Sequence, residues 1–508
     1  MGQPRGQMAV FVGTWLLPLL AHAQELPADA TPDTAPVEAA SVEPAPAEPL
    51  LKLRATGFVD TRWTASYASV AKYLPSKDTP HLLNLTEGNV LLKFDWGAKG
   101  QALADLSLVW QRGWMYFGQD STTGERIRLA DHDVPALRPL AIAAELYGIW
   151  NITDRLNLTV GKKRLNWAPG MAWNPTDLLN PAKDPTDPTL QRAGAWLTRL
   201  ELPLESWTLS LVAAAKTTQQ YGGLPTGLVF YPDNAINKAD TAAHYTVAAR
   251  VYHLVAETDL NAMVYFSNLY NDVFQDKLRV AATASHVFFN ALELHAEILG
   301  QTGSARMYVE GDCVRDLTAA ITCVGGGRIP GGNSKVHDTD PRVKALLGAR
   351  YQFGENAQVS AEYLFNGDGA NASQFDALVH GLALGKQIPA GVTPPFSLVP
   401  PVSDAGTPQK FAFEPFRRHY LFLTYLHPQL RDDFTINMVV ILGLQDLSGQ
   451  LAPQLLWSAQ EWLTLSVGGF FALPGKESLG AQVDGKGWTE YALQPTLWRA
   501  FVSARLFY

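Results

Sequence analysis

Residues 496–508 read TLWRAFVSARLFY, and an alternation runs through them. Thr496, Trp498, Ala500, Val502, Ala504, Leu506 and Tyr508 fall on one side of an extended chain. Arg499, Ser503 and Arg505 fall on the other. Successive strand side chains point to opposite faces, so the segment has one face suited to hydrocarbon and one suited to water.

The same period of two recurs upstream. Leu292, Leu294, Ala296 and Ile298 oppose Glu293, His295 and Glu297. Val343, Ala345, Leu347, Ala349, Tyr351 and Phe353 oppose Lys344, Arg350 and Gln352, and Phe434, Ile436, Met438, Val440 and Leu442 oppose Thr435 and Asn437. No amphipathic helix pattern stands out from Lys52 onward. A soluble sandwich would alternate too, but its strands usually run about five or six residues. Many runs here are long enough for a tilted strand to cross a bilayer, which takes about 9–11 residues. Trp63, Trp96, Trp110, Trp114, Trp150, Trp207, Trp457, Trp462 and Trp498 gather near run ends, the place of an interfacial girdle.

The connections are asymmetric. Short turns fall at 97–100, 151–154, 205–206, 257–258, 289–290, 354–355, 428–432 and 460–461. Between them lie connections of variable length at 71–83, 117–137, 167–192, 218–240, 271–275, 303–341, 367–415, 444–449 and 473–495. This alternation implies 18 strands; 16 is the competing count, because the connections near 271 and 444 are weakly marked. An even count puts both chain ends on one side.

Together with the N-terminus described next, the terminal strand ending in Phe507-Tyr508 resembles that of Gram-negative bacterial outer-membrane β-barrel (porin-like) proteins, over residues 51–508. The resemblance implies an all-β fold, a transmembrane antiparallel barrel with short periplasmic turns and long outer loops. It also implies an outer-membrane location, contact with outer-membrane lipid, and reading of the C-terminal strand by the barrel-insertion machinery.

Residues 1–23 have the parts of a secretory signal peptide in order: Arg5, an apolar run from Met8 to Leu20, and Ala21-His22-Ala23 as cleavage site. The apolar run is short of the ~20 residues a membrane helix needs. Residues 24–50 are rich in Pro, Ala and acids, with six prolines and no Lys or Arg, so an extended periplasmic tail is expected, as tether or as spacer. The formal net charge is −8, and six acids of this tail (Glu25, Asp29, Asp33, Glu38, Glu43, Glu48) account for most of it. The rest is near neutral, which excludes the basic face of a nucleic-acid binder. Charged residues are 17% and hydrophobic residues 47% of the chain, too polar for a bundle of membrane helices.

The most distinctive stretch is GKKRLNWAPGMAWNPTDLLNPAKDPTDPTLQR, residues 161–192. Its Asn-Pro and Asp-Pro steps favour turns and extended geometry, so a stiff loop is expected. It is similar to a motif of some porin-like barrels, in which a G-[RK]-x-x-x-x-W strand end precedes a loop rich in N-P-x-D. Three roles are open to it. It folds inward as a constriction, with Lys163, Arg164, Trp167, Asn174, Asp177, Asn180, Asp184 and Asp187 as candidate residues. Alternatively, Asp177, Asp184 and Asp187 gather Ca²⁺, or the loop is external and merely stiffened.

A charge on the lipid face costs ~2–4 kcal/mol at the midplane. Arg199, Glu201, Arg250, Arg279, Glu293, His295, Glu297, Lys344, Arg350, Glu362, Arg417, Arg499 and Arg505 are therefore read as pore-lining, with bases outnumbering acids. Such charges either select ions or brace a polar lumen. Cys313 and Cys323 are expected to form a disulfide in an oxidising compartment. No G-x-S-x-G, H-E-x-x-H or C-x-x-C occurs, so no enzyme, metal or cofactor is expected. The sequence points to a channel for passive or selective diffusion of small polar solutes or ions, narrowed by inward-folded loops. The competing reading is a non-conducting barrel that binds or exports a surface polymer, or an outer-membrane lipid-active enzyme. Oligomeric state is not encoded legibly.

Overall fold

In a computed structural model the described residues are 51–68, 80–115, 140–180, 194–215, 245–267, 277–303, 311–326, 340–354, 356–385, 416–483, 485–493 and 496–508. The signal and tail segments lie outside them. Long alternating runs become long strands: β1 (Lys52–Ala68), β2 (Pro80–Asp95), β3 (Gly100–Met115), β4 (Leu140–Thr153), β5 (Leu156–Lys163), β6 (Ala195–Pro203), β7 (Trp207–Ala215), β8 (Tyr245–Val255) and β9 (Thr258–Ser267). They continue as β10 (Lys277–Phe288), β11 (Leu292–Thr302), β12 (Pro341–Phe353), β13 (Ala357–Asn366), β14 (His419–Leu430), β15 (Phe434–Gly443), β16 (Ser448–Gln460) and β17 (Leu463–Leu473). A two-stranded hairpin, β18 (Ala481–Val483) and β19 (Lys486–Trp488), precedes the terminal strand β20 (Thr496–Phe507).

Each barrel strand pairs antiparallel with its sequence neighbours, β17 pairs with β20, and β20 pairs with β1. The sheet is a closed 18-stranded transmembrane barrel, as the turn count anticipated. Closure leaves no edge strand, which is what allows a sheet to sit in lipid. All eight expected short turns lie at one rim. Two of them have consecutive residues at positive φ, the two-residue turn Ala256-Glu257 and the pair Phe289-Asn290 of the three-residue connection between Phe288 and Leu292. Such turns match the right-handed twist of the strands.

The wall follows the alternation. Leu211, Leu278, Val280, Leu294, Ile298, Leu347 and Val502 are exposed on the outside, while Val212, Arg279, Glu297 and Leu346 on the intervening positions are buried inside. The barrel is not empty. Residues 164–180 enter the lumen from the end of β5 and pack against wall residues of β6 to β11, forming a core of Leu165, Trp167, Leu179, Leu197, Val212, Met263, Tyr265 and Leu299. Further along, Ala172 and Trp173 pack against Leu346, Leu364, Tyr420, Phe422, Val439 and Ile441 on β12 to β15. Gly161 starts the inward turn at φ +125°, where a Cβ would lie 2.3 Å from the Leu146 carbonyl.

The structure corrects the expectation of a helix-free body. Connection 303–341 contains α1 (Gly311–Val314) and α2 (Leu317–Gly325), and connection 367–415 contains α3 (Ala372–Gly385). α3 shows no amphipathic stripe because it is buried on several sides: Phe375, Ala377, Leu378, Val379 and Ala383 join Val314, Val483, Trp488 and Leu493 in a third apolar cluster. Its start is a reciprocal cap, in which Asn371 Oδ1 accepts the Gln374 amide and Gln374 Oε1 accepts the Asn371 amide, both at 2.9 Å. No helix among the described residues is long and apolar enough to cross a membrane.

Candidate functional site

The candidate site is the lumen at the level of the inward loop. Two buried carboxylates hold that loop by its backbone. Glu297 Oε1 accepts the Gly170 amide at 2.8 Å, and Glu297 Oε2 accepts the Thr176 amide at 3.2 Å and its hydroxyl at 2.7 Å. Asn174 Nδ2 donates to Glu297 Oε1 at 3.2 Å. Glu362 Oε1 and Oε2 accept the Met171 and Ala172 amides at 2.5 and 2.9 Å. The Tyr265 hydroxyl donates to the Thr176 carbonyl at 2.8 Å. Charge-assisted hydrogen bonds of this kind are roughly twice as strong as neutral ones.

Behind Glu362 stands His295, with Nε2 at 3.0 Å from Glu362 Oε1 and Nδ1 at 3.6 Å from Glu293. Glu293 also meets Arg350. His295 needs the missing side chain of Gly348 beside it: a Cβ there would lie 2.1 Å from Nε2. The loop braces itself as well. Asn180 accepts from the Leu165 amide at 3.1 Å and donates to the Leu165 carbonyl at 2.6 Å. Asp177 accepts from Asn180, so its carboxylate is engaged inside the loop. Trp167 lies under the Arg250 guanidinium, 5.3 Å from its ring centroid. Lys163 sits over Tyr147 at 4.4 Å, and Arg164 pairs with Glu145 at 3.5 Å. Asp184 and Asp187 lie outside the described residues.

The predicted lumen charges thus divide. Glu293, His295, Glu297, Glu362 and Arg350 form the loop's seat, and Arg199 pairs with Glu201 at 2.9 Å. Arg250 and Arg279 lie on the wall that the loop covers, and Lys344 meets Asp368 at 3.4 Å. Arg417 departs from the strand reading. It precedes β14, under α3, with its guanidinium on the Phe375 ring and 2.9 Å from Asp446. Its neighbours Asp446, Ser448, Tyr420 and Glu490 are all buried. Asp446 accepts the Glu490 amide, the Ser448 amide and the Ser448 hydroxyl. Glu490 accepts the Tyr420 hydroxyl at 2.6 Å. Burial pushes the Glu490 carboxyl up to about 7, Asp446 adds to the rise, and Tyr420 and Arg417 oppose it. The network ties the cap of α3 and the hairpin to the barrel. Cys313 and Cys323 are joined by a disulfide that staples α1 to α2 in the same cap region.

The inner wall of β20, β1 and β2 carries a row of cations. Arg505 forks Asp60 Oδ2 at 2.9 and 2.7 Å and stacks 4.5 Å above Phe58. Arg62 stacks 4.6 Å from the Phe501 centroid, and Arg499 4.8 Å from that of Phe470. Arg54 and Lys93, opposite each other in register, are exposed toward the short-turn rim. The same wall holds Glu87, which accepts from Ser107, and Asp105, which accepts from Asn89. Sequence reasoning found Arg499 and Arg505 but passed over Arg54, Asp60, Arg62 and Lys93. The even spacing of Arg54, Asp60 and Arg62 along β1, and the pairing of Lys93 on β2 with Arg54, carry that signal.

No family model matches the chain, and no curated protein sequence matches it. Among solved structures it is similar to OccK2 (OpdF) of Pseudomonas aeruginosa in complex with glucuronate, at 8% identity and TM-score 0.44, over 90% of this chain and 97% of that one. It is similar to OccK8 (OprE) of the same organism at 10% identity and TM-score 0.43, over 90% and 97%. A triple mutant of Rhodopseudomonas blastica porin aligns at 9% identity and TM-score 0.36, over 90% and 100%.

Proposed function

We propose that this barrel is an outer-membrane channel for small polar solutes that prefers anions, with its lumen narrowed by residues 164–180. The observation that carries the reading is the division of the lumen. The inward loop packs against β6 to β15, whereas the wall of β17, β20, β1 and β2 is lined by polar groups and by Arg54, Arg62, Lys93, Arg499 and Arg505, which outnumber the acids Asp60 and Glu87. Barrels of 16–18 strands leave an aqueous channel, and rings or rows of charge set which ions pass. The acids Glu297 and Glu362 are spent on the loop's amides, which tips the balance of the remaining lumen toward cations. The reading extends to the ends of the chain: residues 1–23 direct export, 24–50 form a periplasmic tail, and β20 is recognised by the insertion machinery.

The packed cap of α3 and the hairpin favours a second reading, a closed barrel that serves surface binding or a lipid-active function. Reversal potentials across planar bilayers under a salt gradient discriminate the two. The channel reading expects discrete current steps with anion preference, reduced toward neutrality in a protein carrying Arg62→Ala, Arg499→Ala and Arg505→Ala together. A folded barrel that never conducts would overturn it.

A further inference from the structure

The wall across β9 to β12 has an indentation on its outer face, an apolar groove of about 340 Å³ whose lining also includes Ser285, His295 and Gly348 of the intervening positions. Its floor is Ala284 opposite Ala296 in the β10–β11 register. Leu294 and Leu347, both exposed on the outside, wall it. At one end stand Thr258 and His286, the first residue of β9 and the antepenultimate residue of β10, hence at the short-turn rim. Thr258 Oγ1 lies 2.8 Å from His286 Nδ1 and 3.3 Å from the Ala256 carbonyl. With the Thr258 hydroxyl donating to the Ala256 carbonyl, its oxygen accepts from His286 Nδ1–H, so Nε2 carries a donor hydrogen when the ring is the imidazolium.

We infer that the groove is a phospholipid site, with an acyl chain along Ala284 and Ala296 and the phosphate accepting from Nε2–H of the His286 imidazolium. Three observations converge on this occupant. The groove is apolar and lies on the wall that faces hydrocarbon. Its polar end sits among aromatics of the outer face at the rim: Phe288 is edge-on to the His286 ring at 4.2 Å, and Tyr351 stacks with Phe353. Such rings mark headgroup level, so the imidazole is placed where phosphates lie and the groove runs inward from it. Apart from His286 and His295 no titratable side chain lines the groove, so it suits a chain rather than a second polar surface. The inference rests on the barrel being embedded in a membrane and not on conduction, so a silent barrel leaves it standing.

Native mass spectrometry of the refolded full chain from detergent tests it, with phosphatidylglycerol and a diacylglycerol of the same chains as probes. One phosphatidylglycerol should be retained per chain, and the diacylglycerol should be retained about tenfold less. Ala296→Phe, which fills the groove, should lower phosphatidylglycerol retention about tenfold, while Ala213→Phe on the outer face of β7 should not. His286→Leu should bring the two probes to equal retention. Leu347→Ala, which removes one wall, serves if Ala296→Phe fails to give a heat-modifiable barrel, and it too should lose lipid. Equal retention by the Ala296→Phe and Ala213→Phe proteins, or of the two probes by the unaltered chain, would overturn the proposal. So would a dimer that Ala296→Phe abolishes, because a second chain would then be the occupant.

Discussion

Glu297 is the residue on which the lumen's shape turns most directly. Its two oxygens accept from Gly170, Thr176 and Asn174, and each hydrogen bond to a charged group contributes about 1.5–3 kcal/mol. Glu297→Ala leaves buried donors without an acceptor and should free the loop at a cost of roughly 3 kcal/mol or more. Chymotrypsin should then cut the folded barrel near Trp167 or Trp173, while the unaltered protein resists and Glu297→Gln is intermediate. Continued resistance of the Ala variant would mean that packing alone holds the loop. That Glu297 and Glu362 face inward was legible in the alternation of β11 and β13. Their role was not, because their partners are main-chain amides of a distant segment, and an amide carries no sequence signature. Arg62 and Arg54 stand at even-numbered positions of β1, where the same principle would have found them, but sequence reasoning passed over them.

At the scale of elements, the cap is the part that sequence periodicity could not supply. α3 is apolar on several sides, since α1, the hairpin, Leu493 and Phe416 pack against it, so no helical stripe exists to be read. Only the Asn371/Gln374 pair announced its start. The cap's tie to the barrel carries a pH dependence. The folded carboxyl of Glu490 titrates at about 7, above its ordinary value of 4.5. A raised carboxyl stabilises the fold fully below the unfolded value and loses that contribution as pH rises through the folded one. Docking of residues 485–493 should therefore weaken between about pH 4.5 and 7. Amide exchange, corrected for intrinsic rates, should show protection of these residues falling over that window. Glu490→Gln should flatten the dependence, and a pH-dependent fall persisting in that variant would contradict this account. The barrel strands themselves were legible to within a few residues at their ends, because a wall between lipid and water enforces period two along every strand.

For the whole molecule, the lumen has two unequal halves: one filled by residues 164–180 against β6 to β15, and one along β17, β20, β1 and β2, the half through which the proposed channel would conduct. The division could not be read from strand patterns, which assign faces but not what a connection does once it turns inward. Ser503 faces the lumen on the second half, bonded to Ser466 at 2.6 Å, whereas Val212 is sealed behind the loop. The native cysteines are joined to each other, so single new thiols can be placed at either point. The decisive measurement is the single-channel current of the Ser503→Cys and Val212→Cys proteins before and after a negatively charged methanethiosulfonate. The account predicts a stepwise fall in current for Ser503→Cys and no change for Val212→Cys. Block at Val212→Cys with none at Ser503→Cys, or the absence of current from folded protein, would contradict it.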